Sequence, residues 1–251
     1  MSKKYPGGLI TKTPVAPAGP FQDDAASGVW TLSQAAYWQE QGLWPIAGNS
    51  SGPSVIGEAF GGGFYAGQIS TAGNGVADYY LIVGPVASAQ STSKQWKNAN
   101  TATTGADSTI DGPQNTADMV ADGSSTVYPA AHFCNNLTIG SFSDWYMPAK
   151  NELEVCYYNL KPTTTNNNTS SGINPNAVPA RASNYTSGTP AQTSATDFQS
   201  TGAEDFAVAP YFPSTEISAT TAWMLYFGYG LQASRNKNNS YFVRAVRRVA
   251  V

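Results

Sequence analysis

At 251 residues and 41% hydrophobic content, the chain has enough apolar material to bury a core in one large or two modest domains. Only 12% of its residues are charged, about half the usual share, so Ser, Thr, Asn, Gln, Gly and Ala must cover the surface, a habit common in extracellular and virion surface proteins. A net charge of −3 without a basic run excludes an electrostatic footprint for nucleic acid and polybasic anchoring to a membrane, and no apolar run nears the roughly 18 residues of a membrane span.

The chain opens on Met1-Ser2-Lys3-Lys4-Tyr5-Pro6, where positive charge has no apolar run behind it. That pattern is not a secretory signal. The expectation is synthesis in a host cytoplasm and delivery outside the cell by another route, such as assembly into a released particle.

Residues 1–26 read as an extended Pro- and Gly-rich arm that needs a partner surface. The segment from Thr31 to Gly42 follows with the capping box Thr31-x-x-Gln34 in front and Gly42 then Pro45 behind, which predicts a short helix over about 31–41. Trp30, Trp38 and Trp44 bracket it, half of the six tryptophans. Two readings are open. The aromatics, with Tyr37, either dock on the main domain or anchor the chain to a neighbouring subunit, as buried aromatics do at interfaces. Residues 27–32 with this helix also resemble a short module near the start of some tailed-phage structural proteins.

A compact domain is expected from about residue 54. The stretches 56–60 and 64–69 read as strands joined by a turn or bulge at Gly61-Gly62-Gly63; those glycines lack the Lys-Ser/Thr and following helix of a phosphate loop. Tyr79-Tyr80-Leu81-Ile82-Val83 is a buried strand stopped by Gly84 and Pro85. Residues 90–119 are expected to be a long ordered loop with Trp96 sunk into the core. Asp107, Asp111, Asp118 and Asp122 punctuate it as turn formers, since the grouping of a calcium loop is missing.

Residues 129–137 read as a helix with Ala130, Phe133, Cys134 and Leu137 on its apolar face. Its His132 is the only histidine and reads as a partly exposed helix residue. A second helix starts near Pro148, suited to a first turn, and runs through Leu160, with Glu152 beside the positive end of its dipole. Cys134 and Cys156 match no metal or redox spacing. They read as buried free thiols, with a disulfide between them left as the alternative.

Two polar stretches complete the pattern. Residues 162–199 hold Thr163-Thr164-Thr165-Asn166-Asn167-Asn168-Thr169 and read as a disordered surface insertion or as a long recognition or subunit-contact loop. Residues 229–241 read as a loop joining the last two strands. Tyr229, Gln232, Arg235, Asn236, Asn238, Asn239 and Tyr241 give it the stacking and adaptable hydrogen bonding of paratopes. The plainer alternative is an ordinary polar hairpin with Lys237 in a structural position.

Taken in order, Ala131-x-x-Cys134-x-x-Leu137, Asp144-Trp145-Tyr146-Met147-Pro148-Ala149-Lys150-Asn151-Glu152-Leu153, Ser214-Thr215-Glu216, the run Ala222 to Gly230, Lys237 and Val243-Arg244-Ala245-Val246-Arg247 resemble the C-type-lectin-like domain family related to sulfatase-modifying factors. Members occur in phage tail fibres and bacterial surface proteins. The resemblance covers 54–251 and implies two helices packed on a small twisted antiparallel sheet, with long loops and the domain ends close together. Ala149 departs from the family's capping Ser or Thr, and Phe212-Pro213-Ser214 from its aromatic-Trp-Ser-Ser run.

Of the activities implied, formylglycine generation needs cysteines late in the domain, and none follows Cys156. The calcium-dependent sugar site needs a carboxylate where this chain has only Asn174-Pro175-Asn176. What the resemblance leaves is a scaffold for receptor-binding loops.

The expectation is therefore an α+β chain. Residues 1–53 form an attachment arm and 54–251 a C-type-lectin-like domain with long loops. It is expected to be a virion structural protein of a tailed phage, a tail-fibre or tail-tip adhesin, without enzymatic chemistry, cofactor or metal. Trp30, Tyr37, Trp38 and Trp44 are the expected contacts to other virion proteins, and the 229–241 residues those to a host surface glycan or protein. A homo-oligomer is expected, a trimer favoured over other numbers. A capsid decoration or tail adaptor is the alternative, and an enzyme of the sulfatase-modifying type a remote one.

Overall fold

The computed structural model describes residues 31–40 and 52–251. The chain divides between Gly52 and Pro53. Of the first unit only Thr31, the helix behind it and Gly52 are described. Helix α1 (Leu32–Glu40) carries the capping box read from the sequence: the Gln34 amide donates to Thr31 Oγ1 at 3.2 Å, and the Thr31 amide to Gln34 Oε1 at 2.9 Å. Tyr37 is exposed and meets the half-buried Trp38 edge to face, 5.0 Å between ring centres. Trp30 and Trp44, with the arm 1–26, lie outside the described residues.

The second unit is a mixed α+β fold with few helices and curled antiparallel sheets. It opens with β1 (Ala59–Phe60) and β2 (Gly63–Ile69), joined through Gly61 and Gly62 at φ 58° and 83°. Two left-handed residues in a two-residue loop match the right-handed twist of the strands. The twin glycines are there for that reason.

Strand β3 (Tyr79–Val83) follows, with its last three residues fully buried. Short helix α2 (Val86–Ala89) leads to β4 (Gln90–Gln95), α3 (Gly112–Asp122), α4 (Pro129–Asn135) and α5 (Lys150–Leu160). Beyond these come β5 (Ala177–Val178), β6 (Pro210–Tyr211), β7 (Thr221–Tyr226), β8 (Leu231–Asn236), β9 (Ser240–Arg244) and β10 (Val246–Ala250).

One sheet has the order β1-β2-β3-β10, with β5 also paired to β2; the other runs β4-β9-β6-β7-β8. Every pairing is antiparallel except the single contact of β6 with β9, at Tyr211 and Phe242. Between β9 and β10 the chain passes from one sheet to the other at Ala245. Its amide donates to Ala89 O and its carbonyl accepts from Gly84, both at 2.9 Å.

The long loop expected over 90–119 is corrected at both ends. Residues 90–95 pair with β9, and 112–122 form α3. The helix escapes a reading by apolar period because it buries Asn115 and Thr116 along with Met119. The Asn115 amide donates to Ser108 O at 2.7 Å and to Ser214 Oγ at 3.1 Å, which satisfies a polar group that burial otherwise penalises. Asp111 caps α3 through the Gln114 amide at 3.3 Å. Trp96 does enter the core, fully buried, its indole N–H donated to Pro213 O at 3.1 Å.

Helix α4 buries Ala130, Ala131 and Cys134, while Phe133 and Leu137 are only partly covered. His132 is half-buried, with Nε2 2.7 Å from Gly123 O. Helix α5 begins at Lys150, so Pro148 precedes its cap rather than filling its first turn. Ala149 stands at the cap without a side-chain acceptor, and Glu152 reaches back to the Ala149 amide at 2.8 Å. That is one half of a capping box. Both cysteines are free and buried in different core clusters, which corrects the disulfide alternative.

Candidate functional site

The polar segment 162–199 is ordered by its own buried side chains, against the reading of it as a disordered insertion. Asn167, 6% exposed, accepts from the Tyr157 hydroxyl at 2.6 Å and donates to Pro190 O at 2.8 Å and to Thr186 O and Ser187 O at 3.2 Å. Lys161 Nζ crosses to Thr165 O and Pro190 O at 2.6 and 3.1 Å. Asn174 and Asn176 are tied to α5 and to the end of β2 by amide bonds to Asn151 O and Ser70 O, each 2.8 Å.

Beneath them lies Glu154, fully buried on α5. It accepts from Arg181, from Asn174 and, at 2.7 Å, from the Tyr185 hydroxyl. The Arg181 guanidinium also stacks 4.0 Å above the centre of the Tyr158 ring. A buried charge needs partners of this kind, because removing one leaves the rest desolvated.

The 229–241 segment is corrected more sharply. It is mostly strand: β8 and the start of β9, linked by residues 237–239. β8 forms an outer edge of its sheet and β9 pairs with β4 and β6, so the connection is not a hairpin. Lys237 is fully buried in the link. Its ammonium donates to Glu216 Oε1 at 2.7 Å and Thr101 O at 2.9 Å, and lies 4.7 Å from the Trp96 ring centre. This accounts for the paired appearance of Ser214-Thr215-Glu216 and Lys237 in the sequence signature. Burial lowers the pKa of this lysine, and the Glu216 carboxylate opposes the shift.

Strand alternation separates the predicted binding residues. Gln232 sits opposite Leu225, and Asn236 opposite Thr221, on one face; Arg235 sits opposite Ala222 on the other. Gln232 donates its backbone amide to Ser171 Oγ at 3.0 Å, and its side-chain Nε2 is buried without a partner among the described residues. Arg235 bends to its own strand, with Nη1 2.8 Å from Ser234 O.

Tyr229 lies in the turn before β8, 4.9 Å from the Tyr226 ring, and its carbonyl accepts from Asn168 at 2.7 Å. Asn238 is exposed, but its carbonyl holds Gln95 at 2.7 Å. Asn239 donates to the Tyr241 hydroxyl at 3.1 Å, and Tyr241 packs 4.7 Å from Phe212. The seven residues thus fall into an edge-strand group and a turn group rather than one patch.

Trp223 is a residue that the sequence reading left out. It pairs with Ser234 on the face that carries Thr221 and Asn236, and Lys150 Nζ stands 4.8 Å over its ring. The signal was the alternation along Thr221–Tyr226, where Ala222 and Met224 are buried and Thr221 and Trp223 are not. A half-covered indole beside Thr, Ser and Asn offers a stacking surface with polar flanks.

Three further arginines are held in ion pairs. Arg244, fully buried, pairs with Glu204 at 2.8 Å. Arg247 grips Asp144 through two nitrogens at 2.7 and 2.9 Å. Glu152 accepts from the Tyr146 hydroxyl at 2.6 Å and Arg248 Nε at 2.9 Å. Burial pushes the Glu152 carboxyl above its ordinary range, and the Arg248 guanidinium is the main pull the other way. Burial also raises both cysteine thiols far above ordinary values, which leaves them without nucleophilic thiolate near neutral pH.

Residues 86–247 match the family model of the Lcl C-terminal domain. No curated protein matches the chain. The matched span runs from α2 through the start of β10 and so takes in both polar segments and the face around Trp223. On this match the chain belongs to the Lcl C-terminal domain family, a family found in phage and bacterial proteins.

Proposed function

We propose that the chain is a binding component of a tailed-phage virion, a tail-fibre or tail-tip adhesin that displays polar surface on a C-type-lectin-like scaffold. Family membership in phage and bacterial proteins supports the setting. The observation that carries the reading is the way segment 162–199 is held. A stretch nearly free of aliphatic residues is fixed by buried Asn167, Asn174 and Tyr185 and by the half-buried Arg181. A recognition surface gains from such preorganisation, because less conformational entropy is lost on binding.

Contact with the host is by stacking and hydrogen bonding, without covalent chemistry. The face of Trp223, Ser234 and Asn236 is the proposed contact, in place of the single seven-residue loop. The first unit, with Tyr37 exposed on α1, is the proposed attachment to other virion proteins, and the assembled form a homo-oligomer. A structural role as a capsid decoration or tail adaptor is the competing reading.

Fluorescently labelled full-length chain, incubated with host cells, separates the two. The adhesin reading expects saturable binding that blocks adsorption of the particle and is lost in Trp223→Ala. Absence of binding, with the protein still incorporated into particles, selects the structural role.

A further inference from the structure

We propose a ligand site outside the β7–β8 face: a cleft of about 290 Å³ beside the Asp144-Trp145-Tyr146 segment that takes one uncharged pyranose-sized polyol. The proposal rests on the adhesin reading for its biological setting, and on the cleft's own chemistry for its ligand. The signature residues that serve the fold also form a wall here. Asp144, Trp145 and Tyr146 line one side, Pro113 and Thr116 of α3 another, and Arg248 projects from β10. Asn135 and Ser143, both exposed, complete the rim.

Arg248 lines the cleft and keeps unused hydrogen-bonding capacity. Its Nε is taken by Glu152 at 2.9 Å and its Nη2 by Ile110 O. Its Nη1 makes no hydrogen bond to any described residue; the nearest carboxylate oxygen, Asp111 Oδ1, is 3.8 Å away, beyond bonding length. The guanidinium is nonetheless fixed in place, with its side chain 13% exposed. A donor held still and only partly hydrated is ready for an acceptor.

The charges select what that acceptor can be. Arg247 and Arg248 face three carboxylates, Asp144, Asp111 and Glu152. An anionic ligand at Nη1 meets the uncompensated negative charge of this group, and a cation meets Arg248 itself. A hydroxyl suffers neither penalty, since it accepts from Nη1 and donates onward to a carboxylate. Asp144 can accept it: both its oxygens hold Arg247, yet the side chain is 54% exposed and each oxygen keeps a lone pair.

A cleft at the lower edge of the roughly 300–1,000 Å³ usual for ligand pockets holds one ring rather than an oligomer. Pro113, half-buried, supplies apolar wall for its C–H face, with the little that Trp145 and Tyr146 expose, 2% and 5%. Neighbouring hydroxyls then span Arg248, Asp144, Ser143 and the Asn135 amide.

The test uses the full chain, isotope-labelled, titrated with the methyl glycosides of glucose, galactose and mannose, and in parallel with glucuronate and glucosamine. The site predicts that at least one neutral glycoside shifts the amide signals of Pro113's neighbours, Ser143 and Tyr146, while the charged sugars do not. Ser143→Trp, at an exposed position and directed at filling the cleft, should weaken that binding at least about tenfold with an unchanged melting temperature. Asn135→Trp serves as the second filling variant should the first destabilise the chain.

No shift with any neutral glycoside overturns the site, as does a response led by glucuronate or glucosamine, or neutral binding that survives both fillings. Host-cell binding is scored separately. Cells bound without any glycoside response sink the cleft and leave the adhesin reading standing; a glycoside response without cell binding does the reverse.

Discussion

Segments 162–199 and 229–241 look alike as sequence, both rich in Asn and Ser and poor in aliphatic residues, yet they are ordered by different means. In the first, side chains do the work. Asn167, Asn174 and Asn176 turn inward and bond to backbone carbonyls, and Glu154 binds three partners from below. In the second, the backbone is the main agent: β8 pairs along β7, β9 along β4, and a single buried lysine pins the link. Polar composition is therefore no measure of order. What matters is whether each buried polar group finds a partner.

The largest expected break in this comparison is Glu154→Ala. It leaves Arg181, Asn174 and Tyr185 facing an empty site, and loss of one partner of a buried pair costs about 3–5 kcal/mol. Chemical denaturation should report that loss. Proteolysis should show new cuts within 170–190 while β7–β8 stays protected. If β7 and β8 open together with 170–190, the two segments are one cooperative unit and the contrast fails.

Asn167→Ala is expected to act in the same direction with less force. The Tyr157 hydroxyl loses its acceptor, and Thr186 O, Ser187 O and Pro190 O each lose one of two donors, an effect of about 1–3 kcal/mol. Hydrogen exchange should accelerate at Asn167 and Asn168 and around Ser187, with little change in β8. Arg235→Ala is the mild counterpart in the second segment. Its guanidinium reaches Ser234 O on the same strand, so the stability change should stay within about 0.5 kcal/mol, and a larger one means the edge strand relies on side chains after all.

Much of the fold is legible in the sequence. The Thr31/Gln34 box, the twin glycines after Phe60, the strand at 79–83 and the helices around Cys134 and Cys156 all follow from local rules of capping, turn geometry and periodicity. α3 was not, because its inward face is built from Asn115 and Thr116 and so carries no apolar period. β8 was missed for a related reason. An edge strand with one wet face can be written in the same residues as a loop.

The candidate site divides along the same line. Tyr229, Gln232 and Asn236 were visible as residue types suited to recognition, but their faces depend on the register of β8 against β7, set by pairs far closer in space than in any local pattern. The Arg248 cleft lay further out of reach. Its walls come from α3, the end of α4, the 143–146 segment and β10, and no local window contains them.

By itself the sequence determined the α+β class, the positions of α1, α4, α5 and the first three strands, and the scarcity of charge, since each depends on composition or on residues within a turn or two of one another. Tertiary structure alone decided which asparagines are buried, which arginine nitrogen remains unbonded, and which signature residues also line a cleft. Those outcomes depend on desolvation and on partners as much as 138 residues apart, as between Arg248 and Ile110. Burial is a property of the packed chain, and the chemistry of its polar groups follows from burial.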